Sequence, residues 1–350
     1  MVTETGKFLA TGYFNPQSEI SVRILSRQDV PIDRQFIKER VVQALEFRRS
    51  SVTETNAYRV ISSEADDLPG LILDRYGDVV VVQFLTLGME KLRDRVIEAV
   101  EEVLAPKGIY ERSDSGSRRL EGLEERVGWI QKSCGNEVVI IEKDLSFGLS
   151  LEAGHKTGFY LDQRENRLLL RDLHEKKEVL DAFCYEGAFG LHLAKKGCRV
   201  TAIDAQKDVI ARAEVHRKNN HVSEEQLTFR VGNVFDELKA FEKEKKKFDL
   251  VILDPPSFVK KKSAVEGAVA GYKEILLRSM RLLNPHGRLA VFSCSYHVDE
   301  NLLMQASLSA AADTRKNLRV LKFMKQSSDH PINPFIPETY YLKGFLFEVF

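Results

Sequence analysis

Predicted strands and helices alternate from about residue 152 onward, and this alternation constrains the fold more than any other feature of the sequence. The apolar runs are short, and each leads through a turn into an amphipathic segment. Such alternation predicts an α/β domain with a mostly parallel sheet covered by helices, in which ligands bind at the carboxyl ends of the strands. The predicted strands are Glu178–Ala182, Arg199–Asp204, Leu227–Val231, Phe248–Leu253 and 287–293, and the predicted helices are 189–196, Lys207–Asn219 and 272–283.

The turn after the first of these strands has the features of a ligand-binding loop. Gly187 lies where a strand runs into a helix, and a glycine there allows the backbone to approach a ligand closely. The spacing of the glycines is not G-x-G-x-x-G, so the turn is not typical of a dinucleotide site and favours the looser loop of a methyl-donor site.

Two polar residues follow the next two strands. Asp204 ends the strand Arg199–Asp204, where a carboxylate can accept hydrogen bonds from both hydroxyls of a ribose. The alternative for Asp204 is a cap of the following helix. Asn233 follows Leu227–Val231 and either bonds an adenine or is a simple turn residue.

The sequence Asp254-Pro255-Pro256 is the most specific motif of the chain. A buried strand ends in an acid, and two prolines then fix a rigid extended turn. Methyltransferases that act on amino groups bind the planar amine with a similar turn of acid or amide, two prolines and an aromatic residue. Asp254 is therefore a candidate for both donor binding and catalysis, and this motif by itself allows a base nitrogen as the methyl acceptor.

Cys294 favours a different acceptor. It ends the strand after Asp254-Pro255-Pro256, between two serines. Carbon 5 of a pyrimidine is a poor nucleophile until a thiolate adds to carbon 6, and a base must then remove the carbon-5 proton. Cysteines are more often buried and inert, but a thiol at the edge where the donor binds favours the nucleophile.

The composition limits the partners and the compartment. Lys+Arg and Asp+Glu both number 52, so nucleic acid would be bound by local basic patches, and Lys260, Lys261 and Lys262 are the predicted phosphate contacts. No apolar run is long enough to span a membrane, and the N-terminus does not resemble a signal peptide. We therefore expect a cytoplasmic protein with no membrane partner. The four cysteines lack zinc-site spacing, so no metal is expected, and a homodimer is left open.

The first 151 residues are predicted to form smaller segments. Residues 1–30 contain a short β unit, residues 31–56 a helical linker, residues 57–151 a compact α+β domain, and residues 152–350 the α/β domain. Residues 112–122 are charged and rich in Gly and Ser, so we expect a surface loop there.

With these motifs assembled, the chain resembles the bacterial 23S ribosomal RNA (cytosine-5) methyltransferases of the RlmI type. The resemblance implies a partial PUA-type RNA-binding unit, a central α+β domain and a C-terminal Rossmann-like class I methyltransferase domain that uses S-adenosylmethionine. It further implies 23S ribosomal RNA as the partner. The matching motifs include Asp67-Leu68-Pro69-Gly70-Leu71, Gly154-His155-Lys156-Thr157-Gly158, Asp254-Pro255-Pro256 and Phe292-Ser293-Cys294-Ser295, together with residues 12–16, 111–114, 160–164, 329–331 and 341–344.

The same resemblance implies roles for individual residues. Cys294 would be the nucleophile, and Asp204 would hold the ribose. Other RNA cytosine-5 enzymes carry a second cysteine after the paired prolines, but Ser257 stands there in this chain, so the base that removes the carbon-5 proton is not assigned. Two alternatives stay open: a base-nitrogen methyltransferase and a nonenzymatic RNA-binding protein. The remaining residues implied at the donor site are Tyr160, Gln163, Arg164, Asp181, Phe183, Tyr185 and Gly187.

Overall fold

The computed structural model describes residues 1–152, 157–259 and 264–350. The chain forms two compact units, which are described separately. The first unit contains Met1–Asp162 and the later segment Ser327–Thr339, and the second contains Gln163–Gln326 and Tyr340–Phe350. None of the helices in the described ranges is both long enough and apolar enough to cross a membrane.

The first unit is built around a five-stranded mixed sheet with the order β3-β4-β5-β6-β7. An antiparallel pair, β1 and β2, precedes it, and a second pair, β8 and β9, follows it. The elements are β1 (Thr11–Phe14), β2 (Val22–Ser26), α1 (Arg34–Ser51), β3 (Ala57–Ser62), β4 (Leu71–Tyr76), β5 (Val79–Phe84), α2 (Leu87–Lys91), α3 (Arg93–Leu104), β6 (Gly108–Ser113), α4 (Ser117–Leu120), β7 (Arg126–Gln131), β8 (Glu137–Glu142) and β9 (Leu145–Ser150).

Helix α1 is part of the core of the first unit. Asp33 caps it by accepting a hydrogen bond from the backbone N–H of Phe36. Its buried residues Ile37, Val41 and Leu45 pack in one cluster with the strands of the five-stranded sheet. Residues 31–56, predicted as a helical linker, lie in one unit with residues 57–151, because the apolar face of α1 is buried against the sheet.

The segment Ser327–Thr339 completes the first unit late in the chain. The Asp329 carboxylate accepts the backbone N–H of Arg59 at 2.9 Å, and the Asp329 carbonyl accepts Nη2 of Arg48 at 2.9 Å. The Arg48 side chain is fully buried and is also paired with Asp66. A guanidinium buried in this way requires all of these acceptors, so the late segment is bound into the unit by charged hydrogen bonds.

The loop of residues 112–122 is buried at several positions, contrary to the expected surface loop. Arg112, Ser113, Arg118 and Glu121 are all shielded from solvent. The reason is that the charges are paired inside the unit. Glu121 accepts hydrogen bonds from Asn15 Nδ2 at 2.8 Å, Ser18 Oγ at 2.5 Å, Arg23 Nη1 at 2.9 Å and the backbone N–H of Leu87 at 3.2 Å.

Replacing Glu121 with alanine is expected to lower the free energy of unfolding of the first unit by about 2–3 kcal/mol, because the buried partners of its carboxylate lose their acceptor. Burial raises the pKa of Glu121, but hydrogen bonds from Ser18, Asn15 and Leu87 and the charge of Arg23 outweigh burial and lower it. The contribution of Glu121 is therefore complete above its ordinary pKa of 4.5 and is lost as the pH falls through the lowered value.

Urea denaturation followed by the fluorescence of Trp129, the only tryptophan, measures this effect within the first unit. Glu124→Ala is the matched control, because Glu124 is an exposed glutamate just after this loop. Equal midpoints for the two variants would contradict the role of Glu121 in joining the N-terminal strand pair to this unit.

The second unit has a seven-stranded sheet with the order β12-β11-β10-β13-β14-β16-β15. Strands β10 to β14 are parallel, and β16 is antiparallel to both β14 and β15. The prediction of a mostly parallel sheet is confirmed. The elements are α5 (Arg164–Leu173), β10 (Glu178–Ala182), α6 (Ala188–Ala194), β11 (Arg199–Asp204), α7 (Lys207–Asn219), β12 (Leu227–Val231), α8 (Val234–Lys243), β13 (Phe248–Leu253), α9 (Val265–Leu282), β14 (Leu283–Ser293), α10 (Glu300–Thr314), β15 (Leu318–Lys325) and β16 (Lys343–Val349).

Strands β11 and β12 add to one side of β10, and β13 and β14 then add to its other side, so the strand order reverses at β10. Strand β10 lies between β11 and β13, with Ala182 in register with Ile203 and Leu253. The residues that follow these three strands therefore share one edge of the sheet. This is the edge where open α/β sheets bind ligands.

Candidate active site

The loop between β10 and α6, which is the predicted ligand loop, contains several residues with positive φ. Gly187 has a φ of 77°, and a Cβ at this position would lie 2.6 Å from ring carbons of Phe229. Only glycine therefore fits at Gly187. Phe183 and Tyr185 also have positive φ values, of 64° and 48°, and such conformations in residues other than glycine are concentrated at functional sites.

The carboxylate of Asp204 is fixed by two backbone groups. One oxygen accepts the N–H of Tyr185 at 3.1 Å, and the other accepts the N–H of Gln206 at 3.0 Å. The helix that follows begins at Lys207 with Gln206 as its cap residue, so Asp204 is not the helix cap that was its alternative. Each oxygen keeps lone-pair capacity for a further donor, which suits a pair of ribose hydroxyls.

Asp181 is a buried carboxyl at the centre of the same edge. One oxygen accepts the N–H of Gly190 at 3.0 Å, while the other is buried without a hydrogen-bond partner among the residues that the structure describes. The pKa of Asp181 is raised to about 7, chiefly by burial; the hydrogen bond from Gly190 lowers it, and the charges of Asp254 and Asp204 raise it. Three acids therefore meet at this edge, and the site favours a cationic ligand.

Asp254 is held in place by a backbone contact and by a chain of hydrogen bonds through two amide side chains. Its N–H lies 3.4 Å from the carbonyl of Ala182, and its carboxylate accepts Nε2 of Gln163 at 3.0 Å. The Oε1 of Gln163 in turn accepts Nδ2 of Asn166 at 2.6 Å, and Asn166 also donates to the carbonyl of Lys325 at 3.0 Å. Gln163, predicted at the donor site, thus contacts the acid of the Pro-Pro turn directly. Asn166 was not found from the sequence.

Cys294 directly follows β14, and Asp254 directly follows the neighbouring strand β13. Its side chain is exposed, while Ser293 and Ser295 on either side are buried. Burial raises the pKa of Tyr272 on α9, and the charges of Cys294 and Asp254 raise it further. Both groups therefore lie near one buried hydroxyl, which brings the predicted nucleophile and the predicted acid to the same part of the sheet edge.

The other three cysteines have no comparable position. Cys184 and Cys198 are buried, and burial raises the pKa of Cys184 well above its ordinary value. Cys134 is exposed but belongs to the first unit.

The remaining predicted residues differ in how much the structure supports them. The Oδ1 of Asn233 accepts the N–H of Phe235 at 2.9 Å and caps α8, while its amide nitrogen takes no part in this cap and can donate to an adenine. Arg164 begins α5 with a buried side chain. Tyr160 belongs to the first unit and stays a prediction. Lys260, Lys261 and Lys262, like residues 154–156 of the predicted lid, lie outside the described residues.

Comparison with known proteins finds both a methyltransferase domain and a PUA-like N-terminal segment in this chain. Residues 173–333 match the protein family described as a methyltransferase domain, and residues 1–27 match the PUA-like domain family. The crystal structure of SMU.776, assigned as a methyltransferase and complexed with SAH, has a TM-score of 0.86 at 23% identity and covers 99% of this chain and 90% of that one. At this identity the likeness establishes the fold, and the predicted Rossmann-like class I methyltransferase domain is confirmed.

Relatives with a curated description match over essentially the whole chain. Ribosomal RNA large subunit methyltransferase I of Shewanella frigidimarina (strain NCIMB 400) is 38% identical over 354 residues, which cover 100% of this chain and 89% of the relative. The protein of the same name from Tolumonas auensis is 37% identical over 350 residues, which cover 98% of this chain and 88% of the relative.

Proposed function

We propose that this chain, which belongs to the family of ribosomal RNA large subunit methyltransferase I, methylates carbon 5 of a cytosine in 23S ribosomal RNA through a covalent adduct at Cys294. It is an S-adenosylmethionine-dependent RNA methyltransferase. The observation that carries the proposal is the exposed thiol of Cys294 at the end of the strand next to Asp254. Such an enzyme would act in the cytoplasm. A homodimer has no support among these observations.

The residues of the sheet edge fit S-adenosylmethionine better than a dinucleotide. This donor carries a positively charged sulfonium and a positively charged ammonium, and Asp204 and Asp254 lie close enough to Asp181 for their charges to raise its pKa. A pyrophosphate would be repelled by the same three acids. Within the described residues, one oxygen of Asp181 is buried without a hydrogen-bond partner, so it is available to a donor group of the ligand. Gly187 lets the Phe229 ring pack directly against the backbone of the loop.

In the proposed mechanism the donor supplies the methyl group, and the protein makes the pyrimidine reactive. The Cys294 thiolate adds to carbon 6 of the cytosine, and the electrons of the carbon 5–carbon 6 double bond become available at carbon 5. After carbon 5 has gained the methyl group, a base removes its proton and the bond from sulfur to carbon 6 breaks. Cys294 is then released as the thiolate, ready for a further cycle.

Asp254 would hold the base against Cys294. Its carboxylate is oriented by Gln163, whose own position is fixed by Asn166. A carboxylate in this place can accept a hydrogen bond from the exocyclic amine of cytosine, which uracil lacks. The base must be unstacked to reach this edge, and Lys260, Lys261 and Lys262 remain the proposed contacts to the RNA backbone.

Incubation of 23S ribosomal RNA with the enzyme and labelled S-adenosylmethionine tests the product directly. After digestion to nucleosides, mass spectrometry should find the label in 5-methylcytidine, because adduct formation at carbon 6 activates only carbon 5. RNA containing 5-fluorocytosine should form a complex with the protein that survives denaturation, because no proton can leave carbon 5.

A label on a ring or exocyclic nitrogen, without trapping, would instead establish the base-nitrogen alternative. Isothermal titration with S-adenosylmethionine tests the other alternative, a nonenzymatic RNA-binding protein. A protein that binds RNA but does not bind the donor would be a nonenzymatic RNA-binding protein, and the proposed function would then be wrong.

A further inference from the structure

Lys343 is a buried lysine beside the proposed nucleophile. It is the first residue of β16 and lies in register with Ser293, the residue before Cys294. Its relative exposure is 5%, although lysine side chains are almost never fully buried without a partner. The burial of a charge at this point needs a reason, because it costs free energy that an apolar residue would not.

The ammonium of Lys343 is directed to the chain that follows Cys294. Its Nζ donates to the carbonyl of Ser295 at 3.3 Å and to the carbonyl of Tyr341 at 3.2 Å. It also lies 5.6 Å from the centre of the Tyr340 ring. These contacts fix the position of the charge next to the residue after the thiol, and a flexible surface lysine would not have them.

We propose that Lys343 stabilises the thiolate of Cys294 and so makes the nucleophile available near neutral pH. This inference rests on the proposed function, because it assigns a positioning residue to the same site. Lys343 keeps its own protons throughout. The proton that leaves the Cys294 thiol passes to solvent, to which this side chain is exposed.

The charges around Cys294 explain why a cation is needed there. The carboxylate of Asp254 belongs to the same edge, and a negative charge nearby disfavours a thiolate. The pKa of Lys343 is lowered on balance, because the effect of burial exceeds the raising effect of the charges of Asp299, Cys294 and Glu300. A charged Lys343 and an ionised Cys294 therefore favour each other. The ionisable groups near the pair are Tyr272 on α9, Asp254 after β13, His297 in the turn after Cys294, Asp299 and Glu300 at the start of α10, and Tyr340 before β16.

The rate of alkylation of Cys294 by iodoacetamide, measured as a function of pH, tests this inference without RNA or donor. The measurement is made on the full chain with Cys134→Ser, since Cys184 and Cys198 are buried and Cys294 is then the only exposed thiol. We expect a midpoint below the value of about 8.5 for a free thiol. Lys343→Met should raise the midpoint by about one pH unit, which lowers the rate at pH 7 about tenfold.

Three further variants complete the experiment. Lys343→Gln removes the charge but keeps donors for the carbonyls of Ser295 and Tyr341, so it should give the same shift even if the methionine variant folds poorly. Lys343→Arg keeps the charge and should preserve the midpoint. Lys322→Met, at an exposed lysine of β15 in the same sheet, is the matched control and should change nothing.

A midpoint at or above that of a free thiol, or one unchanged in Lys343→Gln, would overturn the inference. That result would leave the proposed function intact, because Cys294 could still be the nucleophile without help from Lys343. If Cys294 itself were dispensable for methyl transfer, the proposed function would fail whatever the alkylation profile showed. The two failures are therefore distinguishable.

Discussion

Replacing Cys294 with alanine is expected to reduce methyl transfer to RNA by at least about a thousandfold, since losing the nucleophile of a covalent mechanism removes the chemistry and not only its tuning. The effect should appear in kcat under saturating donor and RNA. Cys294 is exposed beyond the end of β14, so its replacement leaves the core unchanged, and the affinity for S-adenosylmethionine should stay within about twofold. Transfer of label from the donor to 23S ribosomal RNA measures the rate, and isothermal titration measures the affinity.

Cys134→Ala is the control for this variant, because it removes the other exposed thiol of the chain. It should retain full activity and should still be trapped by RNA that contains 5-fluorocytosine. If Cys294→Ala kept more than a tenth of the activity, Cys294 would not be a nucleophile, and the acid of the Pro-Pro turn would become the centre of a base-nitrogen mechanism.

The second large effect is expected at Asp204. Asp204→Ala should weaken the binding of S-adenosylmethionine by roughly 10- to 100-fold, which corresponds to the loss of charged hydrogen bonds worth about 1.5–3 kcal/mol. The change removes the proposed ribose acceptor. It also frees the N–H groups of Tyr185 and Gln206, which the carboxylate now orients. Isothermal titration of the purified variant measures the dissociation constant.

Asp208→Ala is the matched control. Asp208 is an exposed aspartate in the first turn of α7, four residues beyond Asp204. Its removal should leave donor binding unchanged, and the melting temperatures of the two variants should be compared to exclude general unfolding. Donor binding that is equally strong in Asp204→Ala and Asp208→Ala would contradict the ribose role of Asp204.

The position of the site could be predicted from the sequence because it depends on the ends of strands. Asp204, Asp254 and Cys294 each follow an apolar run, and in parallel strands such residues converge on one edge whatever the details of packing. For Gly187 the sequence predicted a close approach of the backbone to a ligand, whereas the positive φ and the packing of Phe229 against this glycine are seen only in the structure.

The residues that support the site could not be predicted in this way. Asn166 reaches the carbonyl of Lys325, which is 159 positions away, and Glu121 accepts hydrogen bonds from the turn between the first two strands, about 100 positions earlier. A local pattern of polar residues cannot predict hydrogen bonds between residues so far apart in the sequence. Lys343 is a similar case, because a lysine at the start of a strand is most often a solvated end. Asn233 shows the remaining difficulty: one amide both caps a helix and offers a donor, so its alternatives were not exclusive.

The return of residues 327–339 to the first unit has a consequence for how the protein is made. On the ribosome, the strands β3 to β7 emerge long before Asp329, whose carboxylate and carbonyl bind Arg59 and Arg48. Until that segment has been synthesised, the guanidinium of Arg48 lacks one of its acceptors. We therefore expect the first unit of the nascent chain to lack part of its stabilising contacts until residues 163–326 of the second unit have been translated. An expression fragment that ends at residue 162 would lack the contacts of Asp329 with Arg48 and Arg59, so we expect the first unit to be less stable when it is produced alone.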